Sequence, residues 1–71
     1  MQYEVEVAEF DRFSCDYSTL TVTADSEEQA REQISRIALE QNKCATDDSI
    51  PWWDRCPVII VDWHKFKAIE N

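Results

Sequence analysis

The spacing of apolar side chains changes along this chain, and that change constrains the fold more than any other feature of the sequence. Polar and apolar residues alternate over residues 3–10 and largely again over residues 17–24, which is typical of half-buried β-strands. Over residues 26–41 apolar residues recur at helical spacing. Residues 58–63 then have the composition of another strand. The sequence therefore predicts the element order β-β-α-β.

The order of elements also predicts the topology. A hairpin loop at residues 11–16 would join the first two strands as antiparallel neighbours, and the pattern at Glu9 and Phe10 predicts a bulge or a strand end there. A right-handed crossover through the helix would return the third strand beside the first. We therefore expect an α+β fold with a three-stranded, antiparallel-type sheet in the order 2-1-3 and one helix packed on one face.

Alternation assigns the strand side chains to two faces of the sheet. The face predicted to meet the helix carries Tyr3, Val5, Val7, Leu20, Val22 and Ala24. The opposite face carries Glu4 and Glu6 on the central strand. Because a single helix covers only one face, we expect this acidic face to be open to solvent.

The length of the chain limits its organisation. We expect a single small domain over residues 1–71, which would bury only about 60% of its unfolded surface; a deep enzyme cleft is not expected. Residues 42–57 are predicted to form a long loop that carries Trp52 and Trp53. We expect one of the two tryptophans to be buried and the other to be partly exposed.

Charge excludes several classes of partner. Fifteen acidic and seven basic residues give a formal net charge of −8, so nucleic acid and anionic membranes repel the chain. Residues 1–30 hold eight of the carboxylates and one base, Arg12. No apolar run approaches the ~18 residues that cross a membrane, and no signal-peptide pattern is present at the start. We therefore expect a cytoplasmic protein that is attracted to a Lys/Arg-rich surface.

The first strand contains the most informative acidic residues. Glu4 and Glu6 are two positions apart, or about 6.6–6.8 Å, which is of the same order as the step between phosphates of a nucleic-acid strand. We expect a row of carboxylates formed by Glu4, Glu6, Glu9, Asp11 and Asp16, with a secondary patch at Glu27 and Glu28. Such a row can occupy a basic groove, since Arg pairs with carboxylates and phosphates in the same bidentate manner. The alternative is that these residues form only the solvent face of an antiparallel sheet.

The paired tryptophans support a different function. Trp is enriched at binding hot spots, which makes Trp53 a candidate anchor for a partner. The alternative function is therefore a small protein–protein interaction module that binds through the Trp52/Trp53 loop, with the charge serving solubility.

Catalytic and metal chemistry have little support in the sequence. Cys15, Cys44 and Cys56 are odd in number and widely spaced, which favours a reducing compartment. Together with His64 they contain no C-x₂₋₄-C pair of the kind usual in structural zinc sites. The chain has no glycine, so it lacks a phosphate-binding loop. We expect no enzymatic activity, no metal and no other cofactor.

Three segments resemble a family of small proteins. They are Tyr-Glu-Val-Glu-Val at 3–7, Thr-Val-Thr-Ala at 21–24 and Asp-Ser-Glu-Glu-Gln-Ala at 25–30. Over roughly residues 3–40 the chain is similar to phage- and plasmid-borne ββαβ domains of the DpnD/PcfM type. This resemblance implies a ββαβ fold and supplies no catalytic residues.

In general character the chain also resembles small acidic phage-encoded anti-CRISPR proteins and other DNA-mimic inhibitors. That resemblance implies a non-enzymatic inhibitor which occupies the basic DNA-binding surface of a host defence complex in the host cytoplasm. It rests on size, acidity and fold class, not on a shared motif. Exposed sheet edges are compatible with either a monomer or a homodimer.

Overall fold

The computed structural model describes residues 1–69, which form three strands and one long helix in the predicted order. The elements are β1 (Gln2–Phe10), β2 (Cys15–Thr23), α1 (Glu27–Ala45), a short 3₁₀ helix (Trp52–Asp54) and β3 (Val58–Ile69). The sheet is antiparallel with the strand order β2-β1-β3. The predicted α+β fold is therefore confirmed. Glu70 and Asn71, which end the domain predicted over residues 1–71, lie outside the described residues.

The core lies between α1 and one face of the sheet. Its buried side chains come from both layers: Tyr3, Val5, Val7, Val22, Ala24, Ala30, Ile34 and Ile59. Val5 and Ile34 have no exposed surface, so the contact between the central strand and the helix is the most deeply buried part of the molecule. The alternation on β1 therefore predicted the core face correctly. Leu20 packs against this core and is only partly buried, whereas Val22 on the same strand is buried.

The hairpin between β1 and β2 is closed by a side chain. The chain has no glycine, and no residue in the described range has a positive φ. The Asp11 carboxylate instead accepts hydrogen bonds from the backbone N–H groups of Phe13 and Ser14, each at 2.7 Å. The Ser14 hydroxyl adds a hydrogen bond at 3.1 Å. This local pairing explains how a four-residue loop, shorter than predicted, can reverse the chain.

Helix α1 continues to Ala45, about one turn beyond the predicted end at Gln41. The side-chain amide of Asn42 holds the extra turn against β3. It accepts a hydrogen bond from the Ile59 N–H at 2.8 Å and donates one to the Ile59 carbonyl at 3.1 Å. The loop predicted over residues 42–57 therefore begins four residues later.

Pairing between β1 and β3 is irregular near its centre. Glu4 pairs with Lys67, whereas Glu6 pairs with Asp62. Two steps along β1 thus correspond to five steps along β3, and β3 accommodates three extra residues as an irregular bulge. The strand end predicted near Phe10 is confirmed, and the register shift lies opposite the centre of β1.

Candidate protein-binding site

Glu4 and Glu6, the centre of the predicted acidic row, lie on the open face and are both paired with lysines of β3. Lys67 Nζ is 3.2 Å from Glu4 Oε1, and Lys65 Nζ is 3.1 Å from Glu6 Oε2. The hydrogen bond from Lys65 to Glu6, reinforced by the charge of Glu6, raises the pKa of Lys65. The open face therefore presents adjacent positive and negative charges at these positions.

The other members of the predicted row lie elsewhere. Glu9 and Asp16 are directly opposite each other in the register of β1 and β2. Successive strand residues point to opposite faces, so these two carboxylates lie on the helix side of the sheet. Asp11 is bound within the hairpin turn. The prediction of one continuous row is therefore wrong, because the five carboxylates are divided between two faces and a turn.

The role of Asp11 in the turn makes fold stability depend on pH. Hydrogen bonds from the N–H groups of Phe13 and Ser14 lower the pKa of Asp11. A lowered folded-state pKa stabilises the fold above the ordinary carboxyl pKa of about 3.9, and this contribution is lost as the pH falls through the lowered value. We expect Asp11→Asn to lower Tm at neutral pH and to differ less from the wild type at about pH 3.

Thermal unfolding of both proteins, followed by circular dichroism at the two pH values, measures this effect. Comparison with the wild type at each pH cancels the titration of the other carboxylates. A Tm difference that is the same at both pH values would contradict the assigned role of the Asp11 charge.

Glu27 and Glu28 form the first turn of α1, at the end of the sheet away from the hairpin. Glu27 Oε1 is 3.1 Å from Arg31 Nη2. Carboxylates in a first helical turn also interact favourably with the helix dipole. The predicted secondary patch is therefore separate from the hairpin end, and its part in partner binding stays a prediction.

The aromatic cluster at the hairpin end is the largest departure from expectation. Trp52 and Trp53 are both exposed, at 47% and 67% of their surface, so the prediction that one of them is buried is wrong. Trp53 packs edge-on against Trp52 with ring centroids 5.8 Å apart, and Phe13 packs on Trp52 at 6.0 Å. The cluster remains exposed because it lies beyond the C-terminal end of α1, where the helix no longer covers the sheet.

These aromatic residues join the exposed end of the sheet in one continuous surface. Phe10, Trp52 and Val58 line a shared groove, and Phe13, Trp52 and Trp53 line a second groove beside it. We call this set the hairpin-end surface: Phe10, Phe13, Trp52, Trp53 and Val58. The Arg12 guanidinium lies 4.5 Å from the centroid of the Trp52 ring, a distance typical of a cation–π contact.

The loop that carries the tryptophans is held in place by its own hydrogen bonds. Arg55 Nε donates to the Ile50 carbonyl at 2.8 Å, and Arg55 Nη2 is 3.6 Å from Asp48. The Asp47 carboxylate accepts from the N–H and hydroxyl of Ser49 at 2.9 and 2.6 Å. The tryptophans are therefore presented by an ordered loop, which lowers the entropy cost of binding.

Potential metal ligands are dispersed over the described part of the chain. Within residues 1–69 no group of three or more His, Cys, Asp and Glu side chains is placed to hold a metal ion. Cys44 and Cys56 do lie together, with the Cys56 N–H 3.2 Å from Cys44 Sγ. Asp62 and His64 lie two positions apart on β3, and Asp62 Oδ1 accepts a hydrogen bond from the His64 N–H. In the same part of the chain, no helix has both the length and the apolar character needed to cross a membrane.

Comparison of the chain with protein-family models, curated proteins and solved structures finds no match. The resemblance to DpnD/PcfM-type domains stays a prediction. The site must therefore be interpreted from its own geometry. Of the predicted site residues, Asp11 and Trp53 line the same groove at the hairpin end. Sequence reasoning did not include Phe13, although an aromatic residue in an otherwise polar hairpin loop is a usable signal.

Proposed function

We propose that this chain is a non-enzymatic protein-binding module that docks through the hairpin-end surface. The observation that supports this most directly is the exposed contact of Trp52 with Trp53 and Phe13. A folded protein rarely leaves several large aromatic side chains adjacent and exposed unless they bind a partner. Trp in particular contributes large contact area at interface hot spots.

The charges around the hairpin-end surface define the partner more closely. Asp11, Arg12 and Arg55 line both grooves of that surface, and Asp54 follows Trp53 directly in the 3₁₀ helix. The partner best suited to this arrangement has an apolar pocket for the aromatic rings and charged groups of both signs at its rim. Apolar contacts would supply most of the affinity, and the net charge of −8 would increase the association rate with a partner that carries a Lys/Arg-rich surface.

A second candidate is the phage-encoded anti-CRISPR inhibitor that mimics DNA and occupies a basic surface of a host defence complex. It is favoured by the pair Glu9 and Asp16, which lie directly opposite each other and have no ion-pair partner among residues 1–69. Like charges in this position destabilise a sheet. A cation supplied by a partner would offset that repulsion.

Capture from a lysate of the natural host distinguishes the two functions. The immobilised protein is washed in low salt and at about 1 M salt, where the screening length falls to about 3 Å. The proposed module retains its partner in both washes, whereas a DNA mimic loses it at high salt. Duplex DNA added as a competitor releases the partner only from a DNA mimic. Loss of all captured protein at high salt would contradict the primary proposal.

The lysine-paired acids give a further test of the same distinction. We expect the double variant Glu4→Gln, Glu6→Gln to change the affinity for the captured partner by less than about threefold. These carboxylates are already paired with lysines, and they are not part of the hairpin-end surface. The matched control is Glu9→Gln, Asp16→Asn, which removes the same formal charge from the unpaired site. Affinity is measured by isothermal titration calorimetry. A tenfold or greater loss of affinity in Glu4→Gln, Glu6→Gln would identify the open face of the sheet as the interface.

A further inference from the structure

The structure brings together two cysteines that the sequence separates by twelve positions. Cys44 lies in the last turn of α1, and Cys56 follows the 3₁₀ helix that carries the tryptophans. The Cys56 N–H donates to Cys44 Sγ at 3.2 Å. Cys56 is exposed and Cys44 is partly buried, so a small reagent can reach one sulfur with the second sulfur beside it.

We propose that Cys44 and Cys56 form a reversible disulfide that closes the chain around the Trp52/Trp53 loop, by exchange with a low-molecular-weight disulfide. One protein thiolate attacks a sulfur of the small disulfide and expels the first small thiolate. The neighbouring protein thiolate then attacks the protein sulfur of the mixed disulfide and expels the second. Two electrons pass from the protein sulfurs to the small disulfide. The two protons lost by the protein thiols are taken up by the two small thiolates, which leave as thiols.

The local geometry favours the second step over accumulation of the mixed disulfide. The helix end is fixed by the hydrogen bonds of Asn42 to Ile59, and the loop is fixed at Arg55 by its hydrogen bond to Ile50. The two cysteines are therefore held next to each other on segments that are fixed on both sides, with Cys56 N 3.2 Å from Cys44 Sγ. Disulfides of this kind in reducing compartments are usually transient and redox-sensing.

The contact between the thiols also sets the pH dependence of the exchange. The side-chain hydrogen bond with Cys44 raises the pKa of Cys56. A raised pKa lowers the thiolate fraction at neutral pH, and the thiolate is the reactive form. Disulfide formation should therefore be slow near pH 7 and become faster as the pH rises toward the raised pKa.

Closing this loop would stabilise the fold and restrict the tryptophans. Cross-linking constrains the unfolded chain, and for a loop of this length in a small domain we expect Tm to rise by about 10 °C. A change in partner affinity is an additional consequence that rests on the proposed function. The disulfide itself does not rest on the proposed function, because its formation is measured without a partner.

Treatment of the purified protein with oxidised glutathione tests the proposal. Intact mass spectrometry of the Cys15→Ser variant should show the loss of two hydrogen atoms without retained glutathione, and peptide mapping should link Cys44 to Cys56. In the same Cys15→Ser background, Cys44→Ser should instead retain glutathione at Cys56. Dithiothreitol should reverse the mass change and the rise in Tm.

Two results would overturn the proposal. The first is that Cys44 and Cys56 of the Cys15→Ser variant remain free thiols after treatment with oxidised glutathione. The second is that glutathione persists on Cys56 of the same variant. Because Cys44 is partly buried, Cys56→Ser provides a second control if Cys44→Ser folds poorly. If the disulfide forms but no partner is captured by either redox form, the proposed function fails and the disulfide site stands.

Discussion

Replacement of Ile34 by Ala is expected to remove most of the free energy of unfolding at room temperature. Ile34 has no exposed surface and belongs to the same buried cluster as Val5 and Val7 of the central strand. Truncating a fully buried Ile to Ala costs about 2–5 kcal/mol. A domain of this size has a net stability of only about 3–5 kcal/mol, so one cavity removes most of it.

Leu39→Ala provides the matched control for Ile34→Ala. Leu39 lies on the same helix and is 61% exposed, so its truncation should change the stability by less than about 0.5 kcal/mol. Urea unfolding followed by circular dichroism gives the free energy of unfolding for both variants. Equal stability of the two variants would mean that α1 does not pack on the sheet as described.

Replacement of Trp53 by Ala is expected to weaken partner binding by about 30-fold or more, the effect of removing a hot-spot side chain worth about 2 kcal/mol. Trp53 is the more exposed of the paired tryptophans, and its ring contact in the cluster is with Trp52. Its removal should therefore leave the fold intact. Trp52→Ala is a less informative variant, since Trp52 also supports Phe13 and Arg12.

The controls for Trp53→Ala separate loss of contact from loss of structure. Leu39→Ala removes a similarly exposed apolar side chain that lines neither groove of the hairpin-end surface, and this variant should bind as the wild type does. Trp53→Phe retains an aromatic ring and should recover part of the affinity. Titration calorimetry with the captured partner measures all three variants. If Trp53→Ala binds with unchanged affinity while its Tm is also unchanged, the hairpin-end surface is not the interface.

The fold was predictable because the sequence patterns for it are local and strong. Alternation over Tyr3, Val5 and Val7 assigned the core face, and the helical spacing of Ala30 and Ile34 placed the helix on it. The strand order followed from connection rules that depend only on the order of elements. None of these inferences depends on tertiary contacts between side chains that are far apart in the sequence.

The unpredicted pairing of the open-face acids and the unpredicted end of α1 have a common physical cause. Pairing of Glu4 with Lys67 depends on the irregular register of β3, which adds three residues opposite β1. The extension of α1 depends on the two hydrogen bonds between Asn42 and Ile59, a contact across seventeen positions. Both are tertiary contacts for which the sequence contains no local signal. A row of carboxylates inferred from spacing alone therefore overestimated the charge of the open face.

Exposure of both tryptophans was missed for a different reason. A small domain needs large apolar side chains in its core, so burial of one Trp was a reasonable expectation. The structure fills that space with Tyr3 and Phe66, whose rings stack with centroids 5.7 Å apart. The tryptophans of the loop are therefore not required for the core, which makes their retention at the surface informative about function.

Hydrogen–deuterium exchange of the free protein and of its complex with the captured partner shows which surface binds. Binding through the hairpin-end surface should protect the amides of the hairpin loop and of the Trp52/Trp53 loop. Protection confined to β3 beside Glu4 and Glu6, with the hairpin loop and the tryptophan loop unchanged, would contradict it and place the interface on the open face of the sheet.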